Sequence, residues 1–67
     1  MNYWIQKNIN VGSVVKHIHT GTLMTVVSIT TCGTHWGIYN EYTCQWFIGS
    51  KLHTDTFSRK TIILEKE

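Results

Sequence analysis

Four histidines and two cysteines stand in a chain of 67 residues, and these are the side chains with which metal or nucleophilic chemistry is done. His17 and His19 lie two positions apart, so on a β-strand they share a face and could offer two ligands to one ion. A closed tetrahedral zinc site needs two more, with Cys32, His35 or Cys44 as the candidates. No Cys-x-x-Cys and no His-x-x-x-His occurs, so the spacing fits no zinc motif. The expectation is therefore no metal and no cofactor. His17 and His19 are expected on a solvated strand face, with Ile18 turned inward.

Nucleophilic catalysis asks for a thiolate beside a base and a third group that orients the base. Cys44 lies inside the apolar run Thr43-Cys44-Gln45-Trp46, where burial raises a thiol's pKa and leaves a small, inert core residue. Cys32, three residues before His35, is the better reactive candidate, yet no acid accompanies that histidine. Glu41, Asp55, Glu65 and Glu67 are dispersed, so paired-carboxylate chemistry has no basis. The sequence points away from an enzyme. In a reducing compartment Cys32 and Cys44 read as free thiols.

Binding remains, and the aromatic residues are its natural carriers. Alternation along a strand sends Cys44, Trp46 and Ile48 to one face and Thr43, Gln45 and Phe47 to the other. Trp46 and Phe47 therefore cannot both fill one core. The expected contact surface combines Trp36 and Tyr39 with Phe47. Six Lys and Arg against four Asp and Glu leave a net charge of +2, and the basic residues are scattered singly. That balance favours a protein partner over nucleic acid, which usually demands a basic stripe. Nucleic-acid binding is kept as the alternative reading, and a zinc-stabilised domain as a weaker one.

The elements that position these residues are strands. The chain has no proline and no alanine, while Thr, Val and Ile are abundant, and such β-branched residues suit a pleated, half-buried surface. Strands are expected at 13–19, 23–30, 41–48, 51–57 and 61–65. Thr20-Gly21-Thr22 reads as a tight turn and Gly49-Ser50 as a two-residue hairpin turn. Ser58-Arg59-Lys60 reads as a short turn or one turn of 3₁₀ helix. Residues 31–40, with two glycines and no clear period, read as a long hairpin loop.

Five short strands in so small a chain predict an all-β fold, a five-stranded antiparallel SH3-like barrel over residues 11–67 preceded by an arm or leading strand at 1–10. Closure would remove exposed strand edges. The core is expected to hold Val15, Met24, Val26, Ile29, Trp46, Leu52, Phe57 and Ile63. No apolar run approaches the roughly 20 residues of a membrane span, and the N-terminus lacks a signal-peptide pattern. Cytoplasmic residence follows as the default expectation, with the protein a folded monomer or small oligomer.

The order of residues carries a further signal. Gly12-Ser13-Val14-Val15-Lys16, Thr20-Gly21-Thr22-Leu23-Met24-Thr25-Val26, Cys44-Gln45-Trp46-Phe47, Gly49-Ser50-Lys51-Leu52 and Thr56-Phe57 resemble the YodC-like family of small uncharacterised bacterial and phage proteins, of the DUF2158 type. The resemblance covers about residues 11–64. Met-Thr-Val followed by Cys-Gln-Trp-Phe is its most specific part. It implies an SH3-like small β-barrel and no particular activity. Ser13 stands where the family pattern has Asp, and Thr22 where it has Pro. The segment 31–42 is longer than the family's usual connection, so Cys32, His35, Trp36 and Tyr39 have no counterpart in it.

Overall fold

A computed structural model of the chain describes residues 9–66. They form β1 (Val14–His17), β2 (Leu23–Thr34), β3 (Gly37–Ile48), β4 (Lys51–Ser58), a single 3₁₀ turn (Arg59–Thr61) and β5 (Ile62–Lys66). All five strands join one antiparallel sheet in the order β4-β3-β2-β1-β5. Among the described residues no ladder connects β4 to β5, so the sheet is open between them. The expected arm at residues 1–10 lies outside the described residues up to position 8.

Side-chain alternation decides which half of each strand builds the core. Val15 opposes both Met24 and Leu64, Val26 opposes Cys44, and Tyr42 opposes both Ile29 and Phe57. Ile9, Val15, Met24, Val26, Tyr42, Cys44 and Ile62 are buried, and Ile29, Trp46, Phe57 and Leu64 pack against them. One face of the sheet thus gathers the apolar side chains of all five strands. Of the expected core, Val15, Met24, Val26, Ile29, Trp46 and Phe57 stand on this face.

Leu52 and Ile63 do not. They are 47% and 49% exposed, because Leu52 opposes Phe47 and Ile63 opposes Lys16 on the other face. Ile62 takes the core position expected for Ile63; with two adjacent isoleucines, alternation alone does not say which faces in. The same parity reverses the expectation at the end of β1. Val15 points inward, so His17 does too, half-buried with its ring 5.3 Å from that of Phe57, while Ile18 is exposed.

The largest departure concerns residues 31–40. They are not a loop: β2 and β3 continue as a paired ribbon through Thr31–Asn40, Cys32–Tyr39 and Gly33–Ile38 to Thr34–Gly37, turning at His35 and Trp36. The Thr34 hydroxyl accepts the Trp36 N–H at 3.1 Å and donates to the Gly37 carbonyl at 3.1 Å. Gly37 takes a φ of 141°, a region L side chains rarely adopt. The two glycines suggested a loop, but Gly33 sits within a strand and only Gly37 serves the turn.

Between β1 and β2 the turn comes two residues earlier than expected, at 18–20, closed by the Gly21 N–H on the His17 carbonyl at 2.8 Å, whereas the β3–β4 turn falls where expected. Gly49, at φ 63°, opens the two-residue connection between Ile48 and Lys51, the usual place for glycine in a type II′ hairpin turn. At the start of the domain Ser13 is buried, and its hydroxyl accepts the Asn10 N–H at 3.0 Å. The Gly12 N–H donates to the Val26 carbonyl and the Val26 N–H to the Ser13 carbonyl, at 2.8 and 2.9 Å. This turn clips the chain to β2 and seats Ile9 in the core. A carboxylate oxygen at position 13, as in the family pattern, would accept the same bond.

Candidate functional site

The face opposite the core carries large apolar side chains that stand exposed. Phe47, directly next to the inward-facing Trp46, is 68% exposed and opposes Leu52 across β3 and β4. Leu23 of β2, 56% exposed, lines the same shallow depression of about 440 Å³ together with Val14, Val27, Phe47 and Leu52. Three neighbouring strands thus present Leu23, Phe47 and Leu52 side by side. Lys16 opposes Leu23 on one flank of the apolar patch, while Lys51, opposite Ile48, shares the face of Trp46 and lies off it. Lys16 lies 3.7 Å from Glu65, a surface ion pair that contributes little to stability.

Of the three expected contact residues, Phe47 belongs to this patch and Trp36 and Tyr39 do not. Tyr39 lies eight positions along β3 from Phe47, roughly 25 Å at the usual strand rise. Trp36, at the ribbon tip, is farther still. The aromatics expected to form one surface therefore stand at two ends of one strand. Leu23, Leu52 and Ile63 were missed as surface residues. Their signal in the sequence is a strand apolar on both faces, which a one-sided sheet does not require.

The inner face has its own polar edge. Trp46 stacks on His53 at 5.7 Å between centroids and 18° between planes, and lies 6.0 Å from Phe57. Trp46 and Phe57, with His17, Thr20, Thr22, Met24 and Asp55, line a cleft of about 220 Å³. The His17 and His19 rings approach to 5.6 Å, and His17 Nδ1 accepts the His19 N–H at 3.3 Å. Among the described residues no group of three His, Cys, Asp or Glu is placed to hold a metal ion.

Both cysteines are free thiols, and their surroundings push both away from reactivity. Cys44 is buried, and burial raises its pKa, as expected for a core residue. Cys32 sits on β2 opposite Tyr39 rather than in a loop, with its Sγ 3.5 Å from the Glu41 carboxylate. Desolvation, then the hydrogen bond to Glu41 and its negative charge, raise this thiol too. His35, the base considered for it, lies in the turn with its ring against Trp36 at 5.3 Å.

The class of protein is a small all-β domain in one antiparallel sheet, with an apolar patch on the face away from its core. The family model described as "Uncharacterized small protein (DUF2158)" matches residues 10–62, and the chain belongs to this family. The match runs from the Asn10 turn to Ile62 and takes in Leu23, Phe47 and Leu52. No curated protein and no solved structure matches the chain. No helix among the described residues is long and apolar enough to cross a membrane.

Proposed function

We infer that this protein is a non-enzymatic binding module of SH3-like barrel type, and that it acts by holding a protein partner against Phe47. The barrel reading is supported by the buried set: Val15, Val26, Cys44 and Ile62 are fully buried, as they are when a sheet curls around its inner face. The observation that carries the function is the row of Leu23, Phe47 and Leu52, aligned on three adjacent strands and exposed. Aromatic and aliphatic side chains grouped in this way mark recognition surfaces rather than ordinary solvated ones, and small barrels commonly hold extended peptides along such grooves.

A nucleic-acid partner is the second reading, because Phe47 is an exposed aromatic ring on which a base would stack, with Lys16 on the flank of the same patch. The two readings separate by salt. Affinity capture from host lysate with the wild-type chain and with Phe47→Ala/Leu52→Ala should yield a protein that only the wild type retains, equally at low and high salt. A thymidine oligonucleotide that binds at low salt, releases as salt rises and depends on Phe47 would replace this reading with the second. Equal capture by both chains would remove the patch from consideration.

A further inference from the structure

Beyond its compact base the β2–β3 hairpin has no flanking strand among the described residues. β1 accompanies β2 only at Leu23–Thr25, and the Gly12–Ser13 turn occupies the β2 edge at Val26. β4 accompanies β3 only from Glu41 onward. From Ser28 to Thr34 the outer edge of β2 therefore offers seven residues of backbone without a neighbouring strand among the described residues. A two-stranded ribbon is marginal in water, and a third strand or a covered face is what usually secures it.

We propose that this edge pairs with the same edge of a second copy, making an antiparallel dimer about a twofold axis at Thr31. Charge is the first reason. No Lys, Arg, Asp or Glu occurs between Lys16 and Glu41, so two copies of Ser28–Thr34 meet without like-charge repulsion. The sheet's outermost strands are guarded: β4 carries Lys51 and Asp55, and β5 carries Glu65 and Lys66, residues of the kind that block edge pairing, and the unflanked edge of β3, 37–40, is only four residues long.

Symmetry and length are the second. Antiparallel pairing of identical strands is self-complementary under a twofold, and Thr31 is the midpoint of the free segment. Each ribbon tip then reaches the level of the other copy's Val27, beside its Val11. Val11, Val27 and Trp36 are all exposed, Trp36 at 92%, and the pairing covers them mutually. An aromatic buries about 150–250 Å² when covered. Trp36 and the strand edge of each copy then make a contact at the small end of specific interfaces, where association is weak and depends on concentration. The surface is separate from Phe47, so the inference does not rest on the partner reading.

Sedimentation of the full chain up to about 200 µM, a concentration that populates even a weak dimer, tests the proposal. The expected result is a concentration-dependent dimer that a short bismaleimide links through Cys32, whose two copies fall roughly 8 Å apart in this register; Cys44 is buried. Thr31→Lys, placing two ammonium groups opposite each other at an exposed site, should weaken the dimer more than tenfold with an unchanged melting curve. Replacing residues 31–40 by Asn-Gly, which joins the paired Thr30 and Glu41, should give a monomer even if Thr31→Lys fails to fold.

A monomer at every concentration overturns the proposal. So does a dimer that survives the Asn-Gly replacement, or one lost only in Phe47→Ala/Leu52→Ala, which moves the interface to the opposite patch. A chain that dimerises only after removal of residues 1–8 also overturns it, since its own N-terminal segment would then be the edge's occupant.

Discussion

The two halves of the β2–β3 hairpin share one ladder, interrupted only at Val27, where Val26 opposes Cys44 and Ser28 opposes Thr43. Their surroundings differ completely. At the base, β1 and β4 flank the pair, and Val26, Tyr42 and Cys44 are sealed against Ile62 and Val15. Past Glu41 both flanking strands have ended, and Trp36, Ile38 and Tyr39 stand in solvent. The same residue types that make a core at one end make a surface at the other. A strand's local preference sets its extended shape; whether its side chains stabilise the fold depends on what lies beside it.

The two halves should differ most when an aromatic is removed from the base. Tyr42→Ala should cost about 3–5 kcal/mol, in line with other large-to-small core changes, close to the entire stability of a small domain. Loss of the cooperative thermal transition would show it. A transition shifted by only a few degrees would mean that the base holds no more tightly than the ribbon.

Thiol chemistry gives an intermediate effect that contrasts the two halves directly. Cys44 at the base should resist a disulfide reagent at pH 8 until the protein unfolds, because burial protects it and raises its pKa. Cys32 on the ribbon should react in the native state but slowly, with a rate still climbing above the pH at which an ordinary thiol levels off. Its protonated form is favoured by desolvation and by Glu41. Glu41→Gln removes the negative charge, lowers the Cys32 pKa and should raise its native-state rate at pH 8. An unchanged rate would leave desolvation as the whole cause.

The smallest expected effect belongs to the ribbon tip. Trp36→Ala should alter the unfolding free energy of the dilute chain by no more than about 0.5 kcal/mol, as is usual for an exposed substitution. Denaturant titration at low protein concentration measures it. A loss comparable to that of Tyr42→Ala would place Trp36 in contact with the core and erase the distinction between the two halves.

Much of the strand plan was legible because β-branched runs, glycine turns and the absence of proline all point the same way. Gly49-Ser50 was read correctly, while the turns expected at 20–22 and 58–60 fall at 18–20 and, as a 3₁₀ turn, at 59–61, since turn chemistry is local and its exact bounds are not. Residues 31–40 were misread because glycine within a strand and glycine at a turn look alike in sequence. Phe47 was recognisable as the outward neighbour of Trp46. Its association with Leu23 and Leu52, rather than with Trp36 and Tyr39, was not, because strand pairing rather than proximity along the chain assembles a surface.

By itself the sequence determined that this protein is built of antiparallel strands, where most of them turn, and that Trp46 and Phe47 face opposite ways. These follow from backbone preference and the period of two. The tertiary structure alone decided which of Ile62 and Ile63 is buried, how far the β2–β3 ladder runs past its neighbours, and which apolar residues meet in one patch. Each of those outcomes depends on register between strands distant in sequence, and a shift of one residue reverses every face.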